Sequence, residues 1–272
     1  MHVMHRFLAR ACAVAAVGVA LGTWGVTAAS ASAGGRATIH HGARGPAGIA
    51  AGGGALRLTH DDHAVGRSAN APTNNRMFAG YETTVRRGSA TVVAASFTVP
   101  TLSCTTARRA IAPDAGVAIS STKASFAFVI TACANGKPKY IPGLVLNGKG
   151  FPSTTPIAAG DVIDLTTKVS TTRTKVELTD VTTGVTLKRR GVGASARAAF
   201  IGDDAAFSNS GTLLHVPDFG KLTFTNCLVD GTAFGGLHPQ AFQRVNSRGT
   251  VQISTGGFFP SGTAFSTHFK HS

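Results

Sequence analysis

The sequence predicts an all-β protein, an antiparallel β-sandwich, on three observations. Short runs rich in Val, Thr, Phe and Ile follow one another from about Asn75 onward, each broken by Gly, Pro or Asn. One run, Arg173–Asp180, alternates Thr174, Val176 and Leu178 with Lys175, Glu177 and Thr179, the period of two that gives a strand one dry and one wet face. No stretch has the length and apolar period of a long helix. Strands of this kind bury their dry faces as two packed sheets. The roughly 195 residues from 75 to 269 suffice for one such domain with its own core.

Taken in order, residues 1–33 read as a secretory signal peptide. Arg6 and Arg10 precede an apolar run from Ala11 to about Ala29, and Ala31-Ser32-Ala33 offers a cleavage site before Gly34. No later run approaches the ~18 apolar residues that cross a bilayer, so the mature chain is expected to be secreted, with no membrane span. Residues 34–74 are rich in Gly, Ala, His and Arg with little hydrophobic period, the composition of a flexible leader or propeptide. Its His40-His41 and His60-Asp61-Asp62-His63 have nothing nearby to complete a coordination shell, and no metal site is expected.

The sandwich domain is expected over residues 75–272. Its predicted strands are Phe78–Val85, Ser89–Val99 (ended by Pro100), Ser125–Thr131, Lys139–Leu146, Val162–Val169, Arg173–Asp180, Val185–Arg190, Arg197–Ile201, Lys221–Asn226, Thr250–Ser254 and Thr263–Phe269. Asn135-Gly136, Asn147-Gly148 and Thr182-Thr183-Gly184 read as hairpin turns.

Cleavage after residue 33 removes Cys12 and Trp24, the single tryptophan, and leaves Cys104, Cys133 and Cys227. Three cysteines in an oxidising compartment suggest one disulfide and one thiol. Cys104–Cys133 is the favoured pair because both lie near turns. Cys227 then remains a half-buried thiol, although spacing leaves its pairing open.

The net charge of +14 falls to +12 without the two arginines of the signal. Such a balance favours polyanions as loose partners. The bases are scattered as Arg86-Arg87, Arg108-Arg109 and Lys188-Arg189-Arg190, without the interleaved aromatics that stack on bases. Specific nucleic-acid binding is therefore not expected, and a soluble basic surface is the plainer reading. With Leu187 turned inward, Lys188 and Arg190 point to water.

Several motifs resemble the glutamic peptidases (peptidase A4, or eqolisin, family). Phe78-Ala79-Gly80-Tyr81 is similar to the end of the family's Asn-Trp-Ala-Gly-Tyr opening, and Ser96-Phe97-Thr98-Val99-Pro100 to its Phe-Thr-Val-Pro strand end. Ala159-Gly160-Asp161 resembles a Pro-Gly-Asp turn. Asp218–Asn226 and Ser261–Phe265 resemble later strands. The resemblance covers most of residues 75–269 and implies a concanavalin-like jelly roll of two curved antiparallel sheets. It also implies the chemistry of acid-acting endopeptidases, in which a glutamate activates water and a glutamine amide helps hold it and the oxyanion.

That chemistry is the part the sequence lacks. The family stretch matching Ala198–Asp204 reads Ala-Glu-Trp-Ile-Val-Glu-Asp with its first glutamate catalytic, which puts Ala199 in the catalytic place. The glutamine should fall between Lys123 and Cys133, where there is none. Tyr140–Val145 lacks the Trp, Tyr and Glu of the matching aromatic run. The leading expectation is thus a catalytically inactive relative, a monomer used as a binding or surface-associated scaffold for peptide or an extracellular polyanion, with no cofactor. One alternative is an endopeptidase with a relocated acid/base pair at Asp203 and Asp204, which otherwise read as loop aspartates beside Gly202. The mature chain has only two glutamates, Glu82 and Glu177, and the latter lies on a wet face. His215, three residues before Asp218, reads as a strand-end histidine. A second alternative is a polyanion-binding module built on the basic clusters. Neither a Gly-x-Ser-x-Gly elbow nor a His-Glu-x-x-His helix is present.

Overall fold

The computed structural model describes residues 49–51, 71–120, 123–208 and 212–271. The expected signal peptide and most of the expected leader, with its histidines, lie outside the described residues. Within them the chain forms strands β1 (Ile49–Ala51), β2 (Thr73–Asn75), β3 (Phe78–Thr84), β4 (Thr91–Thr98), β5 (Arg109–Ser120), β6 (Lys123–Ala134), β7 (Lys137–Leu146), β8 (Lys149–Pro152) and β9 (Val162–Val169). It continues with β10 (Arg173–Asp180), β11 (Val185–Val192), β12 (Ala198–Ser208), β13 (Lys221–Val229), β14 (Thr232–Ala233), β15 (Gln240–Val245), β16 (Val251–Thr255) and β17 (Phe265–Phe269). The expected hairpins are present. Asn135 and Gly136 both take positive φ, 54° and 74°, as a two-residue primed turn demands.

The pairings trace one continuous ribbon: β11–β10–β9–β4–β13–β17–β16–β15–β3–β12–β5–β6–β7–β8. Every pair on this path is antiparallel. β2 adds to β15 in parallel, β14 to β13, and β1 to the last three residues of β12. β1 and the first two residues of β2 fall in the stretch read as a flexible leader or propeptide, and both strands pair with the sandwich.

The ribbon folds over so that its two halves pack face to face. Their dry faces interleave in one core, with Phe97, Ile163, Leu165, Val176, Phe224 and Phe265 from the first layer and Tyr81, Ile111, Val117, Val129, Ala199 and Ile201 from the second. The period of two in β10 holds residue by residue: Thr174, Val176, Leu178 and Asp180 are buried, and their neighbours are not. Inward Asp180 is satisfied locally, accepting from the Thr182 and Thr183 amides and the Thr183 hydroxyl. The Thr167 hydroxyl donates to the Ala115 carbonyl at 3.2 Å across the layers.

A second apolar cluster covers the other face of the second layer. Phe78, Phe126, Phe128 and Phe200 are buried there beside Ala110, Ala112, Ala198 and Ala206. These rings need glycine beneath them: a Cβ on Gly143 would come within 2.3 Å of Phe128 Cζ, and one on Gly116 within 2.8 Å of Phe200 Cζ. Burial on both faces explains why β5, β6 and β12 carry near-continuous small and apolar residues instead of alternation.

Cys104 and Cys133 form the disulfide, with Cα atoms 5.4 Å apart, and Cys227 is a fully buried thiol. The ribbon's two ends, β8 and β11, border a common cleft of about 200 Å³ lined by Phe151 and Arg189 among others. Lys149 Nζ and the Arg189 guanidinium lie 5.5 and 5.0 Å from the centre of the Phe151 ring.

Candidate functional site

Four carboxyl groups and one guanidinium gather in the middle of the second layer. β12 runs between β3 and β5, with Gly202 opposite both Gly80 and Asp114, and Phe200 opposite Glu82. Glycine at 80 and 202 is a packing requirement: a Cβ on either would meet the other strand's backbone at 2.3 or 2.2 Å, with the Phe78 ring also in the way. Side chains alternate along β12, so Ala199, Ile201 and Asp203 point between the layers while Phe200 and Asp204 point to the phenylalanine-rich face. Glu82, Asp114 and Asp204 therefore share that second face. Asp114 and Asp203 are 0% exposed, Asp204 4% and Glu82 5%.

The reading of Gly202-Asp203-Asp204 as a loop is thus corrected. The strand runs on to Ser208, held by β3 on one side and β5 on the other. A Gly-Asp-Asp triplet looks like a turn only while its neighbours are unknown. Here the glycine admits a ring and the aspartates are held among other buried polar groups.

Arg244 of β15 supplies the cation. It is fully buried, and its Nη2 donates to the Leu214 carbonyl at 3.0 Å, while Nε and Nη1 have no hydrogen-bond partner. Burial drops its pKa to about 10 despite the two aspartates beside it. One guanidinium cannot balance four carboxylates, and burial disfavours every ionised form. Burial raises Glu82 to about 7. It raises Asp203 to about 7 against the opposing Thr267 hydroxyl and Arg244. Asp204 also rises to about 7 through burial, lowered somewhat by its neighbours Asp114 and Arg244, and raised by Asp203 and Glu82. Asp114 lies well above the usual carboxylate range through burial first, then the Asp204 charge. No donor reaches either Asp114 oxygen, so burial and the neighbouring Asp204 charge both favour its protonated form.

Chemically, two neighbouring carboxyls can give and take a proton, the property of an acid/base pair. Access is the other requirement, since water and substrate must come within hydrogen-bond reach. One surface cleft, about 470 Å³, is lined by Thr98, Pro100, Gly160, Lys221, Thr223 and Thr225 among others and has no acid in its lining. The smaller one, between β8 and β11, has none either. Both lie away from the carboxyl group cluster.

The remaining sequence candidates lie elsewhere. Ala199 is fully buried on the inter-layer side, the opposite side of β12 from Glu82, Asp114 and Asp204. His215 is exposed, and its carbonyl accepts from the Ala110 amide. The basic clusters do not meet: Ala198 faces both Thr84 and Ala118, so Arg86-Arg87 follow one end of the second layer while Arg108-Arg109 begin at the other. Lys188, Arg189 and Arg190 sit on β11, the edge of the first layer. Asp114 and Arg244 were missed by sequence reasoning. The available signal for Asp114 was one charged residue in the otherwise apolar stretch Ala110–Ala118; Arg244, beside Gln243 and before Asn246, gave none.

Residues 76–256 match the model of the Peptidase A4 family. The fold is similar to scytalido-glutamic peptidase bound to a transition-state analogue inhibitor, at TM-score 0.60 and 17% identity over 72% of this chain and 99% of that one. It is similar to SCP-B, an eqolisin-family peptidase bound to the tripeptide Ala-Ile-His, at TM-score 0.57 and 18% identity over 72% and 99%. Aspergilloglutamic peptidase from Aspergillus niger gives 0.50 and 19% over 60% and 99%. These likenesses fix the fold as the curved antiparallel sandwich of the jelly-roll type. No curated protein matches the sequence.

Proposed function

Because this chain belongs to the Peptidase A4 family, we propose that it is a secreted relative that keeps the family's sandwich as a binding scaffold and does not hydrolyse peptides. The observation that carries this reading is the burial of every carboxyl in the central cluster, from 0 to 5% exposed: Glu82, Asp114 and Asp204 on the face of Phe78, Phe126, Phe128 and Phe200, and Asp203 between the layers. An acid that neither water nor peptide can touch cannot activate one for the other. The disulfide Cys104–Cys133 fits an oxidising compartment outside the cytoplasm, and no described helix is long and apolar enough to cross a membrane.

The test is digestion of unfolded protein substrates by purified residues 34–272 from pH 2 to 7. The expected result is no turnover above that of a D114N/D204N double variant.

A second reading is favoured by one specific observation, the placing of Asp114, Asp204 and Glu82 on one face of adjacent strands, where burial raises all three carboxyls. In it, Asp114 and Asp204 serve as acid and base of an acid-acting endopeptidase once the face is uncovered. Turnover in acid that Asp204→Asn and Asp114→Asn each abolish, with unchanged circular dichroism, establishes that reading and rejects the first.

A further inference from the structure

The outer face of the first layer carries a row of cations that strand register alone makes visible. Lys168 on β9 stands directly opposite Lys175 on β10, and Lys175 directly opposite Arg190 on β11. In the next row, Lys188 stands opposite Glu177. Arg173, two residues before Lys175, points the same way. Five cations therefore share a surface with a glutamate. Glu177 pairs with Lys175 at 2.7 Å and Lys188 at 3.3 Å. No ion pair within 4 Å joins Lys168, Arg173 or Arg190 to an acid among the described residues. Asp164 shares the outward face of β9 with Lys168 and accepts from the Ser96 hydroxyl at 2.6 Å, and Asp230 accepts from the Val92 amide at 2.6 Å; such a bond removes no charge, and the five cations still outnumber Glu177 and these two acids.

Like charges directly opposite one another destabilise a sheet. Edge protection explains part of the pattern, because lysine and arginine on β11 discourage strand addition at that edge. It does not explain Lys168 and Lys175, which lie one and two strands further in. Three cations in line across strands ~4.8 Å apart form a stripe about 10 Å long, with no aromatic residue at the outward positions of β9, β10 and β11. That geometry suits a chain with an anionic group every few ångströms and no bases to stack.

We propose that this stripe of Lys168, Lys175 and Arg190, flanked by Arg173 and Lys188, docks a linear polymer bearing repeated phosphate groups. Glu177 positions the two lysines beside it and lowers the net charge of the site. The surface lies on the first layer, remote from the buried carboxyls, so it goes beyond the scaffold reading and holds whether or not the chain hydrolyses peptides. The sequence clusters at Arg86-Arg87 and Arg108-Arg109 take no part.

Long-chain inorganic polyphosphate is the probe, titrated against residues 34–272 at 50, 100 and 200 mM salt. With three to five phosphates neutralised, log K should fall with log salt at a slope of about −2 to −3.5. The variant K168S/K175T/R190T should bind at least tenfold more weakly at 100 mM salt, lose about 2 from the slope, and melt no lower than wild type because the repulsion is gone. The charge-matched control R86S/R87S/R108S should bind within twofold of wild type. Glu177→Gln, which folds without creating new charge, should bind at least threefold tighter. Equal losses in the two triple variants would reduce the effect to net charge and overturn the proposal, as would weaker binding by Glu177→Gln. Tenfold tighter binding of single-stranded DNA, or of vesicles rich in anionic lipid, would also overturn it in favour of those partners.

Discussion

Raising the pH should weaken this protein, and Asp203 shows by how much. The carboxyl is fully buried with a pKa of about 7, while an unfolded aspartate titrates near ~3.9. In acid both states hold the proton and Asp203 contributes nothing. Above pH ~4 the unfolded chain releases it and the folded chain does not, so the folded state binds more protons and stability falls with pH. The slope is about 1.4 kcal/mol per pH unit, and the loss reaches roughly 4 kcal/mol by pH 7. Glu82 and Asp204 push in the same direction, and the sum is comparable with the whole ~5–15 kcal/mol of a typical domain. Asn at 203 has nearly the same shape and cannot ionise. Urea unfolding followed by far-ultraviolet circular dichroism from pH 4 to 8 reads the effect as the midpoint concentration. Wild type should lose stability throughout pH 4–7. Asp203→Asn should match it near pH 4 and exceed it by a few kcal/mol at pH 8. A wild-type midpoint that stays flat or rises with pH, or an Asp203→Asn variant with the wild-type slope, would refute the reasoning.

Three further outcomes follow from packing and from the cysteines. Gly143→Ala should cost about 1–3 kcal/mol, as overpacking does, because the new methyl meets the Phe128 ring at 2.3 Å; pairing it with Phe128→Ala should cost less than the sum of the two single changes, measured by urea denaturation. Reduction of Cys104–Cys133, which closes a loop of sequence separation 29, should lower stability by roughly 3–4 kcal/mol. Buried Cys227, its thiol pushed up to about 12, should resist alkylation at pH 8 until the chain unfolds, as mass spectrometry would report.

The strands that were legible in the sequence are those with one wet face. Val162–Val169 and Arg173–Asp180 match β9 and β10 to the residue, because each has a core below and water above. β5 was missed altogether. Pro113, Gly116 and the alanines of this stretch show no period of two, because both faces of the strand are covered and alternation has nothing to report. β12 was cut at Ile201 for the same reason, with Gly202 answering to the Phe78 ring instead of to a turn. The candidate site shared this fate, since Asp114 and Asp204 sit in those two strands and Arg244 in β15, which was also not foreseen. The disulfide was found because cysteines beside turns are a local signal; a carboxyl gathering across three strands is not.

The clasp around Phe151 bears on how the molecule keeps to itself. Among the described residues the ribbon's path ends in two borders, β8 and β11, and both line one crevice where Lys149 and Arg189 approach the ring of Phe151. Each border thus shields the other, and a foreign strand seeking backbone partners meets positive charge first.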